Sequence, residues 1–193
     1  RLPREEWIRA IGTHAKAFDP IARLAQLTGR AVEPATTWAA RKQACDTLLE
    51  RLEPLPGVIA WLEEAASRRM PVAIASSSPR SWVEGHLERA RLRRHFAELL
   101  AAEQVTRVKP DPALYQKALS LLGVGPDEAL AVEDSPHGVA AARTAGLRCV
   151  AVPGPMTMGC DFHQANLVLS SLAERSLDAV LRRNPAHVRA RVA

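Results

Sequence analysis

One stretch, Ala129 to Gly146, constrains the fold more than any other part of the sequence. It reads ALAVEDSPHGVAAARTAG, an apolar strand that leads into two adjacent carboxylates, Glu133 and Asp134, and then into a helix. Ser135 and Pro136 suit the N-cap and the first helical position. A buried strand followed at once by a helix is the repeating unit of a parallel sheet covered by helices. The carboxylates at the strand end are suited to holding a hard cation such as Mg²⁺.

The same alternation of strand and helix extends on both sides of this stretch. The other candidate strands are short apolar runs, and with the strand above the set is 72–75, 99–102, 130–132, 149–152 and 167–169. Ser78-Pro79 and Asp111-Pro112 predict two further helix starts of the same kind. The sequence therefore predicts an α/β fold with a Rossmann-like, mostly parallel sheet flanked by helices.

Residues 1–53 have a different pattern, because their apolar residues recur at helical spacing and no strand is indicated. A segment with two prolines, Glu53-Pro54-Leu55-Pro56-Gly57, follows and resists helix continuation. We therefore predict a small all-α domain at residues 1–53 and a larger α/β domain at residues 54–193.

Composition excludes several classes of protein. With 47% hydrophobic and 24% charged residues, the chain is typical of globular proteins, and its apolar runs are too short to span a bilayer. The net charge of +5 comes mostly from arginines without a nucleic-acid-binding motif, so neither a nucleic acid nor a membrane is an expected partner. Cys45, Cys149 and Cys160 are too scattered for a disulfide framework or a zinc site. We expect a cytoplasmic protein.

Two further motifs precede the acidic pair. The strand at 72–75 ends in ASSSPR, where Ser76 can offer its hydroxyl and nearby backbone N–H groups to an anion. Lys109, in RVKPDPALY, is a point charge able to bind phosphate. Taken singly, each motif also has a plainer interpretation: a turn with an N-cap for the serines, a surface lysine for Lys109, and charges beside a helix N-terminus for Glu133 and Asp134.

Together and in this order, the three motifs resemble those of the haloacid dehalogenase (HAD) superfamily of phosphotransferases. The segments ASSSPRSWVEGHL, VKPDPALYQKAL and VEDSPHGVAAARTAGLRCVAVP are most similar to the subgroup of β-phosphoglucomutase and sugar-phosphate phosphatases. The resemblance covers nearly all of residues 54–155. It implies an HAD core domain, with the helical region before it as a cap domain that closes over the site.

The resemblance also implies a role for each site residue. Ser76 corresponds to the phosphate-binding serine or threonine of the second motif, with Ser77 as a further phosphate contact, and Lys109 to the lysine of the third. Glu133 and Asp134 correspond to the acids that bind Mg²⁺, the implied cofactor. Ser76 and Lys109 would then be catalytic residues.

The cap offers weaker candidates. Thr13, His14 and Lys16 follow Gly12 in a predicted turn, and their polar side chains are candidates to contact the substrate. Polar residues in such a turn are more often simply solvated.

The first motif of the superfamily, an Asp-x-Asp that carries the nucleophile, is absent, because no two of the seven aspartates are two positions apart. In the superfamily this motif ends the central strand, between the serine strand and the Glu-Asp strand. We therefore expect a sheet without its central nucleophile strand, an incomplete cap, and a chain that is inactive alone because the motif lies in a missing N-terminal segment. A real loss of the motif is the other interpretation.

These features predict a Mg²⁺-dependent phosphatase that acts through an aspartyl-phosphate on a small phosphorylated metabolite, with a sugar phosphate as the candidate substrate. A β-phosphoglucomutase-like enzyme is the alternative, although the cap signature of phosphomutases is not found. An inactive phosphate-binding or regulatory module is the alternative of another class. We expect a monomer or a weak homodimer.

Overall fold

The fold is that of a computed structural model, which describes residues 4–8, 11–12, 18–49, 52–182 and 191–192. Among the described residues of 1–53, the regular elements are helices, as predicted. These helices are α1 (Arg4–Ile8), α2 (Pro20–Thr28) and α3 (Pro34–Leu49). Asp19 caps α2 by accepting hydrogen bonds from two backbone amides, and Gly29 ends it with a φ of 63°. The domain boundary after residue 53 stays a prediction.

The helices α2 and α3 have no buried residue. Two large apolar side chains on α3 are exposed to solvent, Trp38 to 42% and Leu48 to 68%. At 16 residues, α3 is the longest described helix, and within the described ranges no helix has both the length and the apolar character needed to cross a membrane.

From Val58 onward, helices and strands alternate. The helices are α4 (Val58–Ser67), α5 (Arg80–Arg89), α6 (Ala113–Leu122), α7 (Pro136–Thr144) and α8 (Leu177–Arg182). The strands are β1 (Ala73–Ala75), β2 (Glu98–Leu100), β3 (Ala129–Glu133), β4 (Arg148–Ala151), β5 (Leu167–Val168) and β6 (Arg191–Val192). The five strands predicted from the sequence are confirmed to within two residues at each end.

One of the three predicted helix starts is confirmed in detail. Ser135 caps α7 by accepting a hydrogen bond from the amide of Gly138, and Pro136 is the first helical residue. The other two helices begin one residue later than predicted, at Arg80 and Ala113, with a proline at the N-cap position. Neither proline makes a side-chain cap hydrogen bond. The Asp111 carboxylate nevertheless accepts a hydrogen bond from the amide of Ala113 (3.0 Å), so it still caps the first turn of α6.

All pairs among the described strands are parallel, and these strands form two sheets. β1 pairs with β2, with Ile74 opposite Leu99. The second sheet has the order β5-β4-β3-β6, with Val132 opposite Val150 in its centre. This arrangement confirms the predicted α/β fold with a parallel sheet flanked by helices.

The break between the two sheets lies between β1 and β3, which carry the serine motif and the Glu-Asp motif. Among the described strands, none pairs with the second edge of β1, and β6 pairs only with Ala129 and Leu130 of β3. An apolar cavity of about 260 Å³ lies in the break, lined in part by Trp61, Phe96 and Val132. This is the place where the sequence motifs predict a missing central strand.

The core lies on both sides of the sheets. One cluster packs α4 and α8 against β1 and β2, with Trp61, Leu99 and Leu177 among its members. A second cluster packs α6 and α7 against β3 and β4, and it includes Tyr115 and Leu147. These layers hold the carboxyl ends of β1 and β3 in fixed positions.

Candidate functional site

A cleft of about 770 Å³ opens at the carboxyl ends of β1 and β3. Its lining brings together Ser76, Ser77, Lys109, Glu133 and Asp134. The carboxyl ends of parallel strands share one edge of a sheet, and ligands of open α/β sheets bind there. The five candidate site residues of the α/β domain therefore line one cleft.

The serines form a turn that follows β1. The amide of Ser76 donates to the carbonyl of Leu100 (2.9 Å), which continues the pairing of β1 with β2. The Ser76 hydroxyl oxygen accepts from the amide of Ser78 (3.1 Å), so the turn is stabilised from within. Ser77 is buried, and its hydroxyl donates to the carbonyl of Gly12 (2.9 Å).

Lys109 is a buried residue rather than a surface lysine. Its ammonium lies 2.5 Å from Oε1 of Glu133, and the two side chains are only 9% and 5% exposed. A buried charge is costly unless it is paired and hydrogen-bonded, so each residue depends on the other. The structure excludes the surface interpretation that the sequence alone left open.

Tyr115 is a member of the site that sequence reasoning missed. Its hydroxyl donates to Oε1 of Glu133, and its ring centroid lies 4.9 Å from the ammonium of Lys109. Burial, followed by the charge of Glu133 and the hydrogen bond to it, raises the pKa of Tyr115 well above its usual value. The phenol is therefore a hydrogen-bond donor throughout the physiological range.

Asp134 lines the cleft and is exposed to solvent. Desolvation of its carboxylate and the charge of Glu133 raise its pKa, while Lys109 opposes this shift. Its backbone carbonyl accepts a hydrogen bond from the hydroxyl of buried Thr157 (2.6 Å). Thr157 is thus a second residue that the motifs did not reveal.

A turn of the N-terminal region lies directly on this site. Ser77 donates to the carbonyl of Gly12, and Nδ1 of His137 lies 2.9 Å from the carbonyl oxygen of Ile11, as a donor to it. Gly12 has a φ of +83°, and a Cβ atom at this position would lie 2.4 Å from Oγ of Ser135. Glycine is therefore required here by both the backbone conformation and the close approach.

The predicted cap contacts Thr13, His14 and Lys16 lie outside the described residues. They follow Gly12 directly in the sequence. Their contact with a substrate stays a prediction.

The acidic pair fits a magnesium ion in its chemistry. Glu133 and Asp134 supply oxygen ligands, and Mg²⁺ is commonly held by one or two carboxylates together with waters and substrate phosphate. Glu133 raises the pKa of Asp134, and this repulsion would be relieved by a cation. Within the part of the chain that the structure describes, no group of three or more Asp, Glu, His or Cys side chains is arranged to hold a metal ion.

Comparison with known proteins then decides the family. Residues 4–152 match the family described as haloacid dehalogenase-like hydrolase. The chain belongs to this family. The protein YhcW of Bacillus subtilis is 37% identical over 180 residues, which cover 93% of this chain and 81% of YhcW. Hexitol phosphatase B of Escherichia coli O157:H7 is 36% identical over 130 residues, which cover 66% of this chain and 59% of that protein.

A solved structure of the family has the same fold. CbbY from Rhodobacter sphaeroides, crystallised in complex with phosphate, is 30% identical and superposes with a TM-score of 0.73. The superposition covers 91% of this chain and 82% of CbbY. A second crystal structure of CbbY, of a mutant, holds xylulose-(1,5)bisphosphate.

Proposed function

We propose that this chain provides the phosphate and Mg²⁺ site of a phosphatase that acts on a small phosphorylated metabolite. The observation that carries the proposal is the convergence of Ser76, Lys109, Glu133 and Asp134 on one cleft. Relatives include a hexitol phosphatase, and CbbY has been crystallised with a sugar bisphosphate. These names support a sugar phosphate as the substrate class.

Each residue has a separate task in the proposal. The hydroxyl of Ser76 and the backbone amides of its turn donate to the phosphate oxygens, and the ammonium of Lys109 offsets their negative charge. Glu133 and Asp134 hold Mg²⁺, which supplies further charge neutralisation at the phosphate. Such positioning and charge stabilisation account for most of the catalysis of phosphoryl transfer.

The nucleophile belongs to an Asp-x-Asp motif, which residues 1–193 do not contain. In the proposed reaction, a carboxylate oxygen of the first aspartate bonds to phosphorus while the P–O ester bond breaks. The second aspartate protonates the leaving alcohol, and then accepts a proton from the water that hydrolyses the aspartyl-phosphate. We accordingly expect the chain alone to be inactive, and the intact protein to work in the cytoplasm as a monomer or weak homodimer.

The test is hydrolysis of p-nitrophenyl phosphate by the chain extended with the coding sequence upstream of Arg1. We expect an apolar strand ending in Asp-x-Asp there, with activity that chelators abolish and that Asp134→Ala removes. Asp161→Ala, which changes an exposed carboxylate outside the cleft lining, is the control and should retain activity.

Three outcomes would change the assignment. Activity that ignores chelators would contradict the magnesium mechanism. Loss of the first aspartate upstream would favour an inactive phosphate-binding module. Interconversion of sugar monophosphates, in place of phosphate release, would favour a phosphomutase.

A further inference from the structure

Behind the cleft lies one aromatic residue, Tyr115, that touches both charged members of the buried pair. The hydroxyl of Tyr115 donates to Oε1 of Glu133, the same oxygen that accepts from Lys109. The ring of Tyr115 also lies 4.9 Å from the ammonium of Lys109. With 3% of its surface exposed, Tyr115 has few other positions to adopt.

Glu133 is confined on its other side as well. Gly138, in the first turns of α7, lies against its carboxylate, and a Cβ atom on Gly138 would be 1.8 Å from Oε2. The carboxylate therefore sits between α7 and the two donors to Oε1. Its orientation is set by groups that lie behind the cleft.

We propose that Tyr115 is a positioning residue of the cation and phosphate site, which fixes the carboxylate of Glu133 through its hydroxyl and the ammonium of Lys109 through its ring. This inference rests on the proposed function, because it assumes that Glu133 and Asp134 together hold Mg²⁺. Tyr115 itself touches neither the cation nor the substrate. It acts by keeping Glu133 beside Asp134 and Lys109 beside both.

The consequence is a measurable change in cation affinity. In Tyr115→Phe the ring and its contact with Lys109 remain, and only the hydroxyl that donates to Glu133 is lost. Groups that orient a metal ligand commonly contribute about 10- to 100-fold to metal affinity. We therefore expect Mn²⁺, used as a paramagnetic substitute for Mg²⁺, to bind Tyr115→Phe at least about tenfold more weakly than the unmodified chain.

The control variant is Leu147→Ala. Leu147 is fully buried in the same hydrophobic cluster as Tyr115, and neither residue lines the cleft. The leucine side chain, unlike the phenol, has no group that can donate a hydrogen bond to Glu133. The Leu147→Ala variant should have a lower free energy of unfolding, through loss of packing, and an unchanged affinity for Mn²⁺. Equal losses of affinity in the two variants would mean that Tyr115 acts only through stability, and would overturn the inference.

A second measurement needs no variant of Tyr115. The chain contains a single tyrosine, so tyrosine labelled with ¹³C at Cζ gives one resonance, that of Tyr115. We expect Mg²⁺ to shift this resonance in a saturable way, because the hydroxyl shares Glu133 with the cation. Asp134→Asn should weaken the binding, so that far more Mg²⁺ is needed for the same shift.

The outcomes separate this inference from the proposed function. A saturable change at the backbone amide of Asp134 with no change at Tyr115 would contradict the inference and leave the cation site in place. No saturable effect at either residue would contradict the magnesium site, and the inference with it.

Discussion

The α/β core and the helices α2 and α3 differ in how far their side chains are buried. In the core, even charged groups are buried and paired, and Lys109 and Glu133 are both less than 10% exposed. In α3, the corresponding pair, Lys42 and Asp46, is 78% and 44% exposed. A Lys–carboxylate ion pair therefore affects the free energy of unfolding differently in the two regions. Loss of one partner leaves an uncompensated charge in the buried pair, whereas in the exposed pair water solvates the remaining charge.

The largest expected effect comes from replacing the lysine of each ion pair. Lys109→Met should lower the free energy of unfolding by about 3–5 kcal/mol, because it leaves the Glu133 carboxylate buried without its counter-charge. Lys42→Met should leave it almost unchanged, because an exposed i, i+4 pair contributes little to stability. Urea unfolding of both variants measures the difference.

Similar values for the two lysine variants would contradict this account of the buried pair. The double variant Lys109→Met/Glu133→Gln sharpens the test. It removes the uncompensated charge, so it should recover part of the stability that Lys109→Met loses. No recovery would mean that Lys109 stabilises the fold in some way other than through Glu133.

The second comparison uses two leucines in helices. Leu114 in α6 is fully buried, whereas Leu48 in α3 is 68% exposed. Leu114→Ala should cost about 2–5 kcal/mol of unfolding free energy, from lost burial and the cavity left behind. Leu48→Ala should stay within about 0.5 kcal/mol of the unmodified chain. A large loss for Leu48→Ala would show that α3 packs in solution against something absent from the described residues.

The smallest effect concerns two glycines with positive φ. Gly29 ends α2 with open space around it, whereas Gly12 lies against Ser135. Alanine at either position should cost about 1–2 kcal/mol for the left-handed conformation. Gly12→Ala should in addition displace the turn over the cleft and accelerate amide hydrogen exchange at residues 76–78 and at Ser135, His137 and Gly138. Unchanged exchange there would mean that the turn does not rest on the site.

The strands, and the meeting of the polar strand ends at one cleft, could be predicted from the sequence for a physical reason. Strand ends of a parallel sheet gather at one edge, so Ser76 and Asp134 meet although 58 positions separate them in the chain. The Ser135-Pro136 start of α7 could also be predicted, because helix capping depends on residues that are neighbours in the sequence.

Other features could not be predicted because they depend on contacts between distant segments. His137 meets Ile11 across 126 positions, and the hydroxyl of Tyr115 meets Glu133 at the end of another element. Tyr115 lies at an apolar position of α6 and is typical of a core residue. The exposure of Leu48 and Trp38 could not be predicted either. Helical spacing of apolar residues predicts an amphipathic helix, but it does not show whether another element packs against the apolar face.

The central claim is that one cleft binds both a phosphate and a divalent cation. Crystals of the chain soaked with Mn²⁺ and tungstate, a phosphate analogue, would locate both by anomalous scattering. We expect manganese within coordination distance of Asp134, and tungstate against the Ser76–Ser78 turn and Lys109. Peaks only outside this cleft, at saturating concentrations of both probes, would contradict the assignment of the site.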